Sequence, residues 1–99
     1  MNNKLHTPAV DAWFDAILSL RDRDECYMFF EDICTPNEML SIAQRFHVGE
    51  MLLDNCTYKD ITAETGASTT TISRVNRLLK DDKNGLEMIY ARKKEKKKQ

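Results

Sequence analysis

The sequence predicts an all-α fold, a single domain of six helices that includes a helix-turn-helix. Three observations carry this reading. Only three glycines and two prolines interrupt 99 residues, which favours long helices over a loop-rich β fold. Apolar residues recur at three- and four-residue intervals in successive segments, as one-sided helices require. Helix-start patterns, a hydroxyl residue followed by proline or by a carboxylate three positions on, precede several of these segments.

Residues 1–6 read as a loose arm. Thr7-Pro8 then opens a first helix, since proline at the first helical position loses no hydrogen bond by lacking an amide. Val10, Trp13, Phe14, Ile17, Leu18 and Leu20 give it a strong apolar side, with Trp13 expected in the core, and the charged run at 21–25 ends it. A second helix at about 24–33 carries Cys26, Tyr27, Phe29, Phe30 and Ile33. That is more aromatic surface than one neighbour can cover, so it reads as core, as a subunit interface, or as both.

Thr35-Pro36 with Glu38 is the clearest helix start in the chain, a capping box with proline in the first turn. The helix it opens should extend to about Asp54. Met39, Ile42, Ala43, Phe46 and Leu53 form one stripe, while Leu40, Val48, Met51 and Leu52 fall outside it. A helix apolar on more than one side is expected to be central and buried. Gly49 costs about 1 kcal/mol of helix propensity relative to alanine, which points to close packing at that position. His47, between Phe46 and Val48, is expected to be a hydrogen-bonded interior histidine.

The stretch 57–80, TYKDITAETGASTTTISRVNRLLK, reads as two short helices and a tight turn. Thr57 caps the first, from about Tyr58 to Glu64; Thr65-Gly66-Ala67 makes the turn, where glycine enters the left-handed region cheaply. The second starts at Ser68 and runs to about Leu79. Ile72, Val75, Leu78 and Leu79 share one face, and Thr69, Thr70, Ser73, Arg74 and Arg77 project elsewhere. Ile61, Ala67, Ile72 and Val75 sit where two such helices must touch. Thr62 and Thr65 depart from the usual pattern, which prefers alanine and an apolar residue there. Small hydroxyls at a helix start, with arginines behind them, suit base edges and a phosphate row. Ser68, Thr69, Thr70 and Ser73 are therefore expected at base edges, Arg74 and Arg77 on bases or phosphates, and Thr57 and Lys59 on the DNA backbone. Two packed helices in any α protein can share this spacing, so a dimerisation or adaptor module without DNA binding is the alternative.

Beyond the motif, 80–85 reads as a polar loop with a turn at Asn84-Gly85, and Leu86, Met88, Ile89 and Tyr90 as a short last helix. Residues 92–99 (RKKEKKKQ) read as a frayed basic tail, so the domain is taken as 7–91. Overall charge is −1, yet its distribution is uneven: 1–56 holds four basic residues against ten acids, net −6, and 57–99 holds eleven against six, net +5. The basic half contains the motif, as a scaffold joined to an anion-binding surface would require. A lone chain of this length buries somewhat under roughly 70% of its unfolded surface, so a second copy would help its stability.

Other chemistries lack their residues. Cys26, Cys34 and Cys56 form no CxxC pair, so neither a disulfide framework nor a zinc site is indicated, and they read as buried thiols in a reducing cytoplasm. The polar start does not read as a signal peptide, and no apolar run reaches the ~18–20 residues of a membrane span. The pairs Glu31-Asp32 and Asp81-Asp82 lack opposed geometry for acid–base catalysis, no nucleophile-histidine-acid order exists, and the chain is not expected to be an enzyme.

The order TPNEM at 35–39, Arg45, Leu52-Leu53, ETGASTTTISR at 64–74 and Leu79-Lys80 resembles the Trp repressor superfamily, above all its small YerC/YecD-type members. The likeness runs from about Val10 to Tyr90 in element order. It implies an all-helical, intertwined homodimer, with the N-terminal and last helices of two chains forming one core. It also implies a transcriptional regulator, a repressor of the cytoplasm and nucleoid, presenting the helix from Ser68 to the major groove of double-stranded DNA at half-sites about 34 Å apart. In such repressors L-tryptophan lies between two arginines, matched here by Arg45 and Arg74, and Thr35 also matches. The glycine and serine that make room for the ligand and contact its amino group are replaced by Val75 and Leu78, larger apolar side chains that would fill the pocket. The resemblance thus points to a regulator with no cofactor and no tryptophan dependence, while another small effector stays open.

Overall fold

The computed structural model describes residues 3–81 and 84–97. Among them the regular structure is helical throughout: a 3-10 turn at Asn3–Leu5, then α1 (Pro8–Leu18), α2 (Arg23–Ile33), α3 (Pro36–Leu53), α4 (Tyr58–Thr65), α5 (Thr69–Leu78) and α6 (Gly85–Lys97). The parts of the arm, loop, Asp81-Asp82 pair and tail that fall on 1–2, 82–83 and 98–99 lie outside the described residues. None of the helices is long and apolar enough to cross a membrane, within the described residues. The chain divides into two units, Met1–Asn37 and Glu38–Gln99.

In the first unit, local hydrogen bonding sets the helix starts. The Thr7 hydroxyl oxygen accepts the Val10 amide at 3.2 Å, with Pro8 in the first turn as expected. Asp22, which the sequence reading did not identify as a cap, accepts the Glu25 amide at 2.9 Å and starts α2 at Arg23. Glu25 in turn accepts the Arg21 amide at 2.9 Å. Neither α1 nor α2 contains a buried residue. Trp13, expected in the core, is 38% exposed and stacks on Phe14, and Leu18 is 81% exposed. Cys26 is exposed rather than buried, and Cys34 is intermediate. Two three-turn helices have too little surface to enclose these side chains, so their apolar faces are left uncovered in a single copy.

The second unit holds the core. Val48, Ile61, Ala67, Ile72 and Val75 are all at most 3% exposed, and Met51, Leu52, Cys56 and Leu86 pack against them. The long helix α3 is buried only at Val48 and Gly49, where α4, α5 and α6 supply neighbours; Leu40, Ile42, Phe46 and His47 are exposed. The expectation of a helix buried along its length, and of an interior His47, therefore fails in a single chain. The N-terminal part of α3 faces no other element of its unit closely enough to be enclosed. Gly49 behaves as expected: a Cβ there would lie 2.9 Å from Leu86 Cδ1, so the missing side chain admits α6. α3 closes with Asn55 in the left-handed region at φ 64°, its amide bonded to Leu52 O and that of Cys56 to Met51 O, both at 3.0 Å.

The last helix corrects the sequence reading most. Gly85 begins α6 instead of finishing a turn, because Asn84 acts as a cap and accepts the Glu87 amide at 2.8 Å. The helix then continues to Lys97 through the segment read as a frayed tail. Ala, Arg, Lys and Glu are good helix formers, and the end is also tied to α3. Lys93 pairs with Glu50 at 2.7 Å, the Tyr90 hydroxyl donates to Asp54, and Lys94 lies 3.9 Å from Asp54 with its ammonium 5.1 Å from the Tyr90 ring centre. The hydrogen bond and Coulomb attraction from Tyr90, and then Asp54, raise the Lys94 pKa above its ordinary 10.5.

Candidate nucleic-acid interface

The motif is built by two caps, one turn and four buried side chains. Thr57 Oγ1 accepts the Asp60 amide at 3.2 Å and starts α4. Gly66 ends it in the left-handed conformation, φ 72°, with its amide on Thr62 O at 2.9 Å. A residue with a Cβ would meet its own carbonyl there, at a cost of roughly 1–2 kcal/mol. Ser68 Oγ then accepts the Thr71 amide at 3.2 Å and starts α5. Ile61, Ala67, Ile72 and Val75, the positions expected at the helix contact, are all buried.

Thr65, one of the two departures from the usual pattern, has a physical account. Its hydroxyl donates to Ile61 O at 2.7 Å and accepts the Ala67 amide at 3.1 Å, so it bridges the turn from one helix to the next. Its carbonyl accepts from Gln44 Nε2 of α3 at 3.1 Å. At the other end of the pair, Asn76 Nδ2 donates to the Tyr58 hydroxyl at 3.3 Å. Thr65 and the Tyr58–Asn76 pair thus tie α4 to the turn and to α5, and Gln44 ties α3 to the end of α4. Sequence reasoning missed these roles, since polar side chains leave no periodic trace; the misfit of Thr65 with the apolar pattern was the one usable signal.

Burying Ile72 and Val75 turns the opposite side of α5 outward. Thr69, Thr70, Ser73, Arg74 and Arg77 are all exposed or half-buried and line one open groove of about 310 Å³. Thr57 and Lys59 are exposed at the start of α4. The Thr57 hydroxyl accepts from the backbone and keeps its proton available for a phosphate oxygen. Ser68 differs: its oxygen takes the Thr71 amide and its hydrogen goes to Thr71 Oγ1 at 3.2 Å, so it acts first as a cap. The groove therefore offers two threonine hydroxyls, one serine hydroxyl and two guanidinium groups along one side of one helix. Such a set can donate to phosphate and to purine acceptor edges.

The residues expected around an effector differ in their surroundings. Val75 is 3% exposed and belongs to the core beneath α5, whereas Leu78, expected to fill a pocket, is 54% exposed. Its position on α5 falls beyond the stripe that α4 covers. Arg45 is exposed with Nε 3.5 Å from Ser41 O, Arg74 is exposed in the groove, and Thr35 lies in the first unit, just before Pro36.

The sequence and the helical fold both have counterparts among known proteins. Residues 8–94 match the family model described as Trp repressor protein. A Bacillus subtilis protein, YerC, is 50% identical over 93 residues, which are 94% of this chain and 89% of that one. The crystal structure of a TrpR-like protein from Eubacterium eligens superposes with a TM-score of 0.88 at 57% identity, over 92% of this chain and 94% of the other. A Staphylococcus aureus protein solved as a candidate Trp repressor gives 0.88 at 48% identity, over 93% and 92%.

Proposed function

The chain belongs to the Trp repressor family, and from that premise we propose that it is a sequence-specific DNA-binding transcriptional regulator, a repressor that grips a palindromic operator as a homodimer. The observation that carries this reading is the division of α5 into a buried side, Ile72 and Val75, and an outward groove of Thr69, Thr70, Ser73, Arg74 and Arg77. With α5 in a major groove, those side chains meet base edges while Thr57 and Lys59 meet the backbone. Two copies related by a twofold axis place their α5 helices about 34 Å apart. The uncovered apolar faces of α1 and α2 support a second copy, wrapped with the first as in the intertwined dimer expected of the family.

Selection of bound sequences from random duplex DNA tests this directly, and recovery of a palindrome is the expected result. Thr70→Ala should relax the selected sequence preference, and Lys59→Ala should weaken cognate and random duplexes by the same factor. Equal losses on both duplexes for Thr70→Ala would count against base reading by that residue. Absence of any salt-dependent affinity would instead favour the adaptor reading.

L-tryptophan is not required in this proposal. Val75 occupies the position of the relatives' glycine with a side chain spent on the core, and Leu78 offers no hydroxyl to a ligand's amino group. Calorimetric titration with tryptophan should show no binding heat, and micromolar affinity would overturn the point.

A further inference from the structure

We propose that the lysine-rich end of α6 is a second phosphate-binding element, which takes the DNA backbone beside the first turn of α4; the proposal rests on the DNA-binding reading above. The segment is an ordered helix up to Lys97, and its position is set by α3. Leu86, Tyr90, Lys93, Lys94 and Lys97 recur at three- and four-residue spacing, so they share the side that meets Gly49, Glu50 and Asp54. Glu50 and Asp54 are four residues apart on or just past the last turns of α3 and engage Lys93 and Lys94. Those ion pairs hold the helix in a fixed orientation instead of letting a basic tail sample solvent.

The same anchor fixes where the charge lies. Asp54 precedes Thr57 by three residues and Lys59 by five. Even an extended chain spans no more than roughly 10 Å and 18 Å over those lengths. The lysine end of α6, 3.9 Å from Asp54 at Lys94, therefore adjoins the end of α4 assigned to the DNA backbone. Arg92, Lys96 and Lys97 are exposed on this last part of α6, and among the described residues none of them pairs with an acid. Basic residues at a helix C-terminus also complement the helix dipole, but that role does not need the helix to be anchored three residues before the cap of α4. A duplex seated on α4 and α5 brings phosphates every ~3.4 Å along each strand past this surface.

The test compares the full-length chain with a variant carrying Arg92→Gln, Lys96→Gln and Lys97→Gln, and with Lys96→Gln alone. Anisotropy titrations use a random-sequence duplex and a duplex recovered by selection, over a range of salt. Helicity and melting should be unchanged, because all three side chains are exposed. The slope of log affinity against log salt should fall by about 0.9 for each phosphate that is no longer neutralised, with the same fold-loss on both duplexes. A triple variant with wild-type slope and affinity overturns the role of α6 while leaving the reading of α5 standing. A wild-type chain that binds neither duplex at low salt overturns both.

Discussion

Replacing Ile72 by alanine is expected to lower the free energy of unfolding by about 2–5 kcal/mol, the range for removing a fully buried isoleucine and leaving a cavity. The site justifies that range. Ile72 is 0% exposed and lies among Val48, Ile61, Ala67 and Val75, with Met51, Leu52, Cys56 and Leu86 around them. The α3–α4 connection through Asn55 and the turn at Gly66 restrain how far the helices can collapse into the space. For a domain with about 5–15 kcal/mol of stability, this is a large fraction. Urea titration followed by circular dichroism measures it, with Thr69→Ala as an exposed control expected within about 0.5 kcal/mol of wild type. A loss below about 1 kcal/mol for Ile72→Ala would show that this core does not carry the fold.

The second large effect is expected on assembly. Leu18→Lys should raise the dimer dissociation constant roughly a hundredfold, about 3 kcal/mol, because a lysine beneath a second copy must bury a charge without a partner. In a lone chain the same change would be close to neutral, since Leu18 is 81% exposed. Sedimentation equilibrium and the concentration dependence of melting separate the two cases. An unchanged association state would mean that another surface joins the copies, or that none does.

How much of this was legible in the residues depends on which interactions are local. The caps at Thr7 and Thr57 and the turn at Gly66 act within three or four positions of themselves, and each stands where its pattern placed it. The four buried positions of α4, the turn and α5 follow from the two-helix pattern counted about Gly66. Gly49 was also readable, since a glycine inside a helix is unfavourable unless something needs the space. What could not be read was long-range pairing: Gln44 with Thr65, Tyr58 with Asn76, and the carboxylates of α3 with the lysines of α6. The last of these explains the error over residues 92–97, because composition alone makes a lysine run look solvated. The expectations for Trp13 and His47 failed for a different reason. Apolar pattern indicates that a face will be covered, but it does not say whether the cover belongs to the same chain.

The short reach of the α4–α5 packing has a kinetic consequence. Ile61, Ala67, Ile72 and Val75 meet across one turn, so the loop closed in joining them is brief and its entropy loss small. Low contact order of this kind favours rapid folding. The α4–α5 pair can therefore assemble early, as a unimolecular event, while in the proposed dimer the apolar faces of α1 and α2 wait for an encounter whose rate depends on how many copies are present. On the function proposed above, the amount of protein would then limit the supply of dimers, and hence operator occupancy, more than the folding of α5.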